Sequence, residues 1–143
     1  MKRECVILPL DGFIEENQYS LLGIRTPNVE LRIDAKSAKE ICAFLALNKK
    51  RFIKILITIL LNHYNDDLYR KEKISEKTKD ITAMKFTGKS NPRIYCKEFH
   101  LGIGGKKIIM IHLLAHKNFQ KANDKRLKPK LESIADYEYD FKK

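Results

Sequence analysis

Hydrophobic residues recur along this chain with two periods, and the change of period marks its elements. Cys5 to Leu8 is a short apolar run stopped by Pro9 and Asp11-Gly12, which predicts a strand. After a Thr26-Pro27-Asn28 turn, Val29, Leu31 and Ile33 alternate with Glu30 and Arg32, the period of a half-buried strand. From Asp34, the expected N-cap, the spacing lengthens. Ala38, Ile41, Cys42 and Leu45 stand at i, i+3, i+4 and i+7, one face of a helix. Asn48-Lys49-Lys50 interrupts it. Phe52, Ile55, Leu56, Ile59 and Leu60 then predict a second helix from about Arg51 to Asn62, apolar nearly all round and so largely buried. Its β-branched content also admits a strand.

Residues 65–80 are highly charged and read as a connector. From Ile81 the period returns to two. A strand led by Ile81, Ala83 and Lys85 closes at Gly88-Lys89-Ser90-Asn91-Pro92. Arg93 to His100 is a second strand, with Arg93, Tyr95, Lys97 and Phe99 on one face and Ile94, Cys96, Glu98 and His100 on the other. Gly102-Ile103-Gly104-Gly105 between strands reads as a hairpin rather than a phosphate loop, because no helix follows it. Lys107 to Leu114 is nearly all apolar, as a central strand should be. A last helix is expected from Asp124 or Lys128 to Ala135, with Leu127, Leu131 and Ile134 on its apolar side and Pro129 in its first turn.

The predicted fold is therefore α+β. Two helices precede an antiparallel sheet of three to four strands, and a helix follows it, with the helices on one sheet face and a charged face opposite. Residues 1–33 read as an uncertain strand-containing N-terminal extension, and residues 34–143 as the α+β domain. The 143 residues suit one such domain, and 43% hydrophobic content supplies a core. The longest apolar stretch, Phe52 to Leu61, contains Lys54 and is far short of a membrane span. The run before Asp11 is too short for a signal peptide, so a cytoplasmic protein without membrane contact is expected.

Charge narrows the partners. The net charge is +11, of which residues 71–143 hold +9 and residues 1–70 only +2. A lopsided basic excess suits a polyanion, although solvated lysines alone produce the same number. Cys5, Cys42 and Cys96 are scattered, with no CxxC and no zinc spacing, and read as reduced thiols. Walker A, nucleophile-elbow, H-E-x-x-H and dinucleotide motifs are absent.

Arg93, Tyr95, Lys97, His112, His116, Lys117 and Lys121 gather on the predicted polar face and the segment after the central strand. Cleaving RNA through its 2′-hydroxyl needs a proton acceptor, cations for the phosphorane charge and a proton donor for the 5′-oxygen, with no metal or other cofactor required. Arginine clamps phosphate, histidine moves protons and tyrosine stacks on a base. Each has a plainer reading as well: Arg93 and Lys97 as a solvated face, Tyr95 as packing, His112 as a buried hydrogen-bonded side chain, and His63 as a cap.

Residues 81–139 resemble the RelE/ParE superfamily of bacterial toxins, more narrowly its phage-derived HigB-like branch. The resemblance rests on the strand and turn from Ile81 to Pro92, on Arg93-Ile94-Tyr95, and on the apolar strand Ile108 to Leu114. It also rests on His116-Lys117-Asn118-Phe119-Gln120-Lys121, similar to the family's Lys-Lys-Thr/Ser-Gln-Lys segment, and on the two preceding helices. It implies a type II toxin: a ribosome-dependent mRNA endonuclease neutralised by a cognate antitoxin. Arg93, Lys97, His116, Lys117 and Tyr139, or Tyr137 in place of Tyr139, would be its catalytic residues, and Tyr95, Lys107 and Lys121 would hold RNA. The chain departs from the family in residues 1–33 and in its lysines, which outnumber arginines about threefold. Two other readings stand beside it. One is a non-catalytic nucleic-acid- or protein-binding module of a mobile element. The other is a ParE-like toxin that poisons gyrase by protein contact. The alternating aromatic and acidic tail, Tyr137 to Phe141, offers a pairing edge for a homodimer.

Overall fold

A computed structural model describes residues 2–23, 29–61, 65, 67–71, 76–86, 92–100, 107–115 and 127–139. In chain order these form β1 (Cys5–Leu8), a 3-10 turn (Leu10–Gly12), α1 (Glu16–Leu21), β2 (Val29–Asp34), α2 (Ala38–Leu47) and α3 (Lys49–Leu60). Then come β3 (Tyr69–Lys71), β4 (Ile81–Lys85), β5 (Arg93–His100), β6 (Lys107–Ala115) and α4 (Leu127–Asp136). The class is mixed α+β. Its sheet has six strands in the order β1-β2-β6-β5-β4-β3, not the three or four expected.

The added strands have clear causes. β1 and β2, both inside the segment read as an extension, pair antiparallel, and β2 lies parallel to β6 with Leu31 beside Ile109 and Ile33 beside Ile111. Those four isoleucines and leucines are buried, so residues 29–33 supply core, not periphery. β3 lies inside the charged segment 65–80 and pairs with β4, burying Tyr69 while Arg70 and Lys71 face solvent. Three residues with one buried position are too few to show a period. β3, β4, β5 and β6 run antiparallel in sequence order.

Helices cover both faces, which corrects the expectation of one covered and one charged face. On the first face Ile41, Leu45, Phe52, Ile55, Leu56 and Ile59 of α2 and α3 pack on Leu31, Ile33, Met84, Ile94, Ile109 and Ile111. On the second, Leu131 and Ile134 of α4 pack on Ile81, Ala83 and Tyr95. The alternation that sends Arg93, Tyr95 and Lys97 to one face is real, but an apolar helix side cannot be left in water, and these strands are where it is buried. Lys97 adapts: its stem lies beside α4 and its ammonium donates to the carbonyl of Ala135 in the helix's last turn (2.8 Å) and to that of Tyr137 just past it (3.3 Å). That satisfies carbonyls a helix end leaves unpaired and places a cation at the negative end of its dipole. Lys97→Met keeps the stem and removes the donor. It is expected to lower stability by about 1 kcal/mol in urea denaturation, the usual size for one such bond.

Asp34 does not cap α2. It ends β2, its Oδ1 accepts the Lys36 amide (2.9 Å), and its carbonyl accepts the Ser37 amide, so the turn ends before the helix begins at Ala38. The predicted Gly102–Gly105 hairpin and the turn at 88–91 lie outside the described residues.

Candidate functional site

Two clusters of polar side chains stand out, one closed and one open. The closed cluster forms where both described ends of the chain meet β2 and β6. Arg3 pairs its backbone with the tail: its amide donates to the Glu138 carbonyl (2.8 Å), and Arg3 and Tyr139 form a parallel bridge. Asp34 Oδ2 accepts from Arg3 Nε (2.6 Å) and from the Tyr139 hydroxyl (2.7 Å). The same hydroxyl lies 2.6 Å from His112 Nδ1. The Arg3 guanidinium also stacks 4.0 Å from the Tyr137 ring centre.

The charge states follow from this geometry. Burial raises the Asp34 carboxyl, but the bonds from Arg3, Tyr139 and the Lys36 amide outweigh it and hold the group below its ordinary range. Asp34 is therefore an anion, and it accepts the hydrogen bond that the Tyr139 hydroxyl donates. Burial, then the bond to Asp34, raises the Tyr139 phenol, which stays protonated. Burial drives His112 down to about 3, so the ring is neutral. With the Tyr139 proton committed to Asp34, His112 Nδ1 must carry a hydrogen and donate it to the phenol oxygen, leaving Nε2 as the bare nitrogen. Nε2 is buried and has no hydrogen-bond partner among the described residues. The cluster orders protons but is sealed, since Asp34, His112 and Tyr139 are 2%, 4% and 4% exposed.

A bulge brings His112 there. Pairing passes from Tyr95↔Leu113 to Cys96↔Ile111, so His112 is the extra residue on β6. A bulge bends its strand and re-aims one side chain. The sequence reading of His112 as a buried, hydrogen-bonded histidine agrees with this position.

The open cluster lies on the α2–α3 side of the sheet and draws on four strands. Thr82 of β4 donates to the Tyr69 hydroxyl of β3 (2.8 Å), which donates to Glu98 Oε2 of β5 (2.5 Å). Lys107 Nζ of β6 is 3.7 Å from Glu98 Oε2, and His100 Nε2 is 3.8 Å from Glu98 Oε1. His100 and Lys107 are cross-strand partners, and Glu98 precedes His100 by two, so the pleat turns all three to one side. Burial raises the Tyr69 phenol well above its ordinary range, which keeps it a donor. Exposure rises outward, from a buried Tyr69 through Glu98 at 17% and Lys107 at 21% to His100 at 72%. A carboxylate, an ammonium and an imidazole thus face solvent together, backed by a fixed phenol.

The expected site residues do not converge on one surface. Tyr95 is fully buried under α4, where no base reaches it. Lys97 closes α4, and Tyr139 belongs to the sealed cluster. Arg93 is half-buried at the start of β5, opposite Lys85 and Ala115. Lys107 is the one expected residue found in the open cluster. His116, Lys117, Lys121 and His63 lie outside the described residues. Sequence reasoning missed Tyr69, Glu98 and His100. The available signal was the Glu98-x-His100 spacing on one strand face, read as the face beneath the helices.

Among the described residues no three His, Cys, Asp or Glu side chains gather into a metal-binding group, and no helix is long and apolar enough to cross a membrane. Comparison with protein-family models, with curated proteins and with solved structures finds no match.

Proposed function

We propose that this chain is an RNA-directed toxin of the RelE-like kind, a metal-independent endoribonuclease that acts on translated mRNA and is held in check by an antitoxin protein. The observation that carries the reading is the order of elements. Two packed helices, α2 and α3, precede the antiparallel run β4, β5 and β6, and α4 follows and packs back on that run. This is the order the sequence resemblance implies for residues 35–139. The basic excess in residues 71–143 supports an anionic partner. Lysine-rich contact with phosphate also implies binding that weakens steeply with salt.

A second reading has an observation of its own. Tyr95, Lys97 and Tyr139 have structural partners, which favours a non-catalytic nucleic-acid-binding module using the same charge. Induced expression in a bacterial host, with growth and mRNA integrity followed together, separates the two. Growth arrest with fragmented mRNA is the expected result. Arrest with intact mRNA would favour the gyrase-directed alternative, and normal growth with soluble, folded protein would favour the non-catalytic module.

A further inference from the structure

The geometry points to the open cluster of Glu98, His100 and Lys107, positioned by Tyr69, as a catalytic site for transesterification of single-stranded RNA; this rests on the ribonuclease reading above and names its site. Glu98 sits between a phenol and an ammonium, yet among the described residues its Oε1 has only the imidazole, at 3.8 Å, which is beyond a hydrogen bond. One carboxylate oxygen is thus held and the other is open to a substrate proton. Tyr69 holds Oε2 and is itself held by Thr82. Lys107, 3.7 Å away, is close enough to attract phosphate and too far to form a tight hydrogen bond with Glu98. His100 is exposed enough to turn its ring toward a leaving group.

These are the three groups that the reaction needs. Glu98 Oε1 takes the proton of a ribose 2′-hydroxyl, and the 2′-oxygen attacks the adjacent phosphorus. Negative charge grows on the non-bridging oxygens and is met by the Lys107 ammonium. The P–O5′ bond breaks, and protonated His100 gives its proton to the departing 5′-oxygen. The products are a 2′,3′-cyclic phosphate and a 5′-hydroxyl. Glu98 then returns its proton to solvent and His100 regains one, so no oxidant, reductant or co-reactant is consumed. Tyr69 touches Glu98 rather than substrate and is a positioning residue.

The sealed cluster offers no rival site, because its one bare nitrogen, His112 Nε2, lies beneath the tail and out of reach of a polymer.

The test uses the full chain and a fluorescently labelled single-stranded RNA, free and on translating ribosomes. The wild type is expected to release a 2′,3′-cyclic phosphate end, and to leave RNA with a 2′-deoxy residue at the cut site intact. Glu98→Gln keeps an oxygen for the Tyr69 bond, so the fold is retained, and cleavage is expected to fall at least about 100-fold. His100→Gln should fall similarly but recover on RNA whose 5′-bridging oxygen is replaced by sulfur, a leaving group that needs no proton. Lys107→Ala should fall without that recovery. Tyr69→Phe should lower kcat more than it raises KM. Wild-type cleavage that Glu98→Gln leaves unchanged would overturn this site while leaving the ribonuclease reading standing. A folded wild type that cuts neither form of RNA would overturn both.

Discussion

Replacing Asp34 with alanine is expected to lower the melting temperature by about 10 °C, near 3 kcal/mol for a chain of this size. The carboxylate is the shared acceptor of the sealed cluster. Without it the Tyr139 hydroxyl loses its hydrogen-bond acceptor, and the Arg3 guanidinium is left beside a hydroxyl and an aromatic ring. Removing one partner of a buried ion pair typically costs about 3–5 kcal/mol, because the other charge stays desolvated. The lower end applies here, since Arg3 keeps a quarter of its side chain in water and can partly rehydrate. Asp34→Asn keeps one acceptor oxygen and should lose less. Thermal unfolding by circular dichroism checks both, and an alanine variant within 2 °C of wild type, by the same scale of about 3 °C per kcal/mol, would remove the cluster from any role in stability.

The second large effect is with pH. His112 is neutral in the fold and titrates only at about 3, against an ordinary 6.5 when unfolded. Between those values the unfolded chain binds a proton that the folded chain does not. Acidification through this window therefore favours unfolding, by up to about 1.4 kcal/mol per pH unit. Asp34 acts in the same direction lower down, because its folded-state value lies below the ordinary 3.8 and its contribution is lost as pH falls through that range. The protein should therefore be fully stable above about pH 7 and lose about 2–3 kcal/mol by pH 4.5. His112→Phe removes the titrating group. Its urea midpoint should fall less steeply between pH 6.5 and 4.5 than that of the wild type, by about one proton's worth of slope. Parallel slopes for the two proteins would show that His112 is not the group responsible.

Most single elements were legible, and their assembly was not. β5 runs from Arg93 to His100 as its alternation predicted, the helix around Ile55 stands within two residues of expectation, and the helix around Ile41 is found but begins at Ala38 rather than directly after Asp34. What one sequence hides is which strands meet. The parallel pairing of β2 with β6 joins segments that share no local signal, only matching apolar residues such as Ile33 and Ile111. The second sheet face was read as polar because Arg93 and Lys97 are charged, although Tyr95, Ala83 and Ile81 beside them are what α4 buries. Lys97 shows why the reading went astray. A lysine can hide its stem and still satisfy its ammonium on a helix end. The open cluster was hidden for a related reason. Tyr69 sits in a segment whose composition says connector, and its closeness to Glu98 depends on β3 adding to β4.

The β2–β6 ladder has a consequence for how the chain acquires its shape during synthesis. β2 leaves the ribosome early, yet its parallel partner emerges only after both helices and three further strands. Ser37 must wait 75 residues for its acceptor on His112, and Asp34 waits 105 for Tyr139. Until then Leu31 and Ile33 have no sheet to enter on that side, and the edge invites another nascent chain. Contacts this distant along the chain slow folding and lengthen the exposure of aggregation-prone strands. The seal over Asp34 is thus a late event, and yield should depend on translation speed and crowding more than the finished fold would suggest.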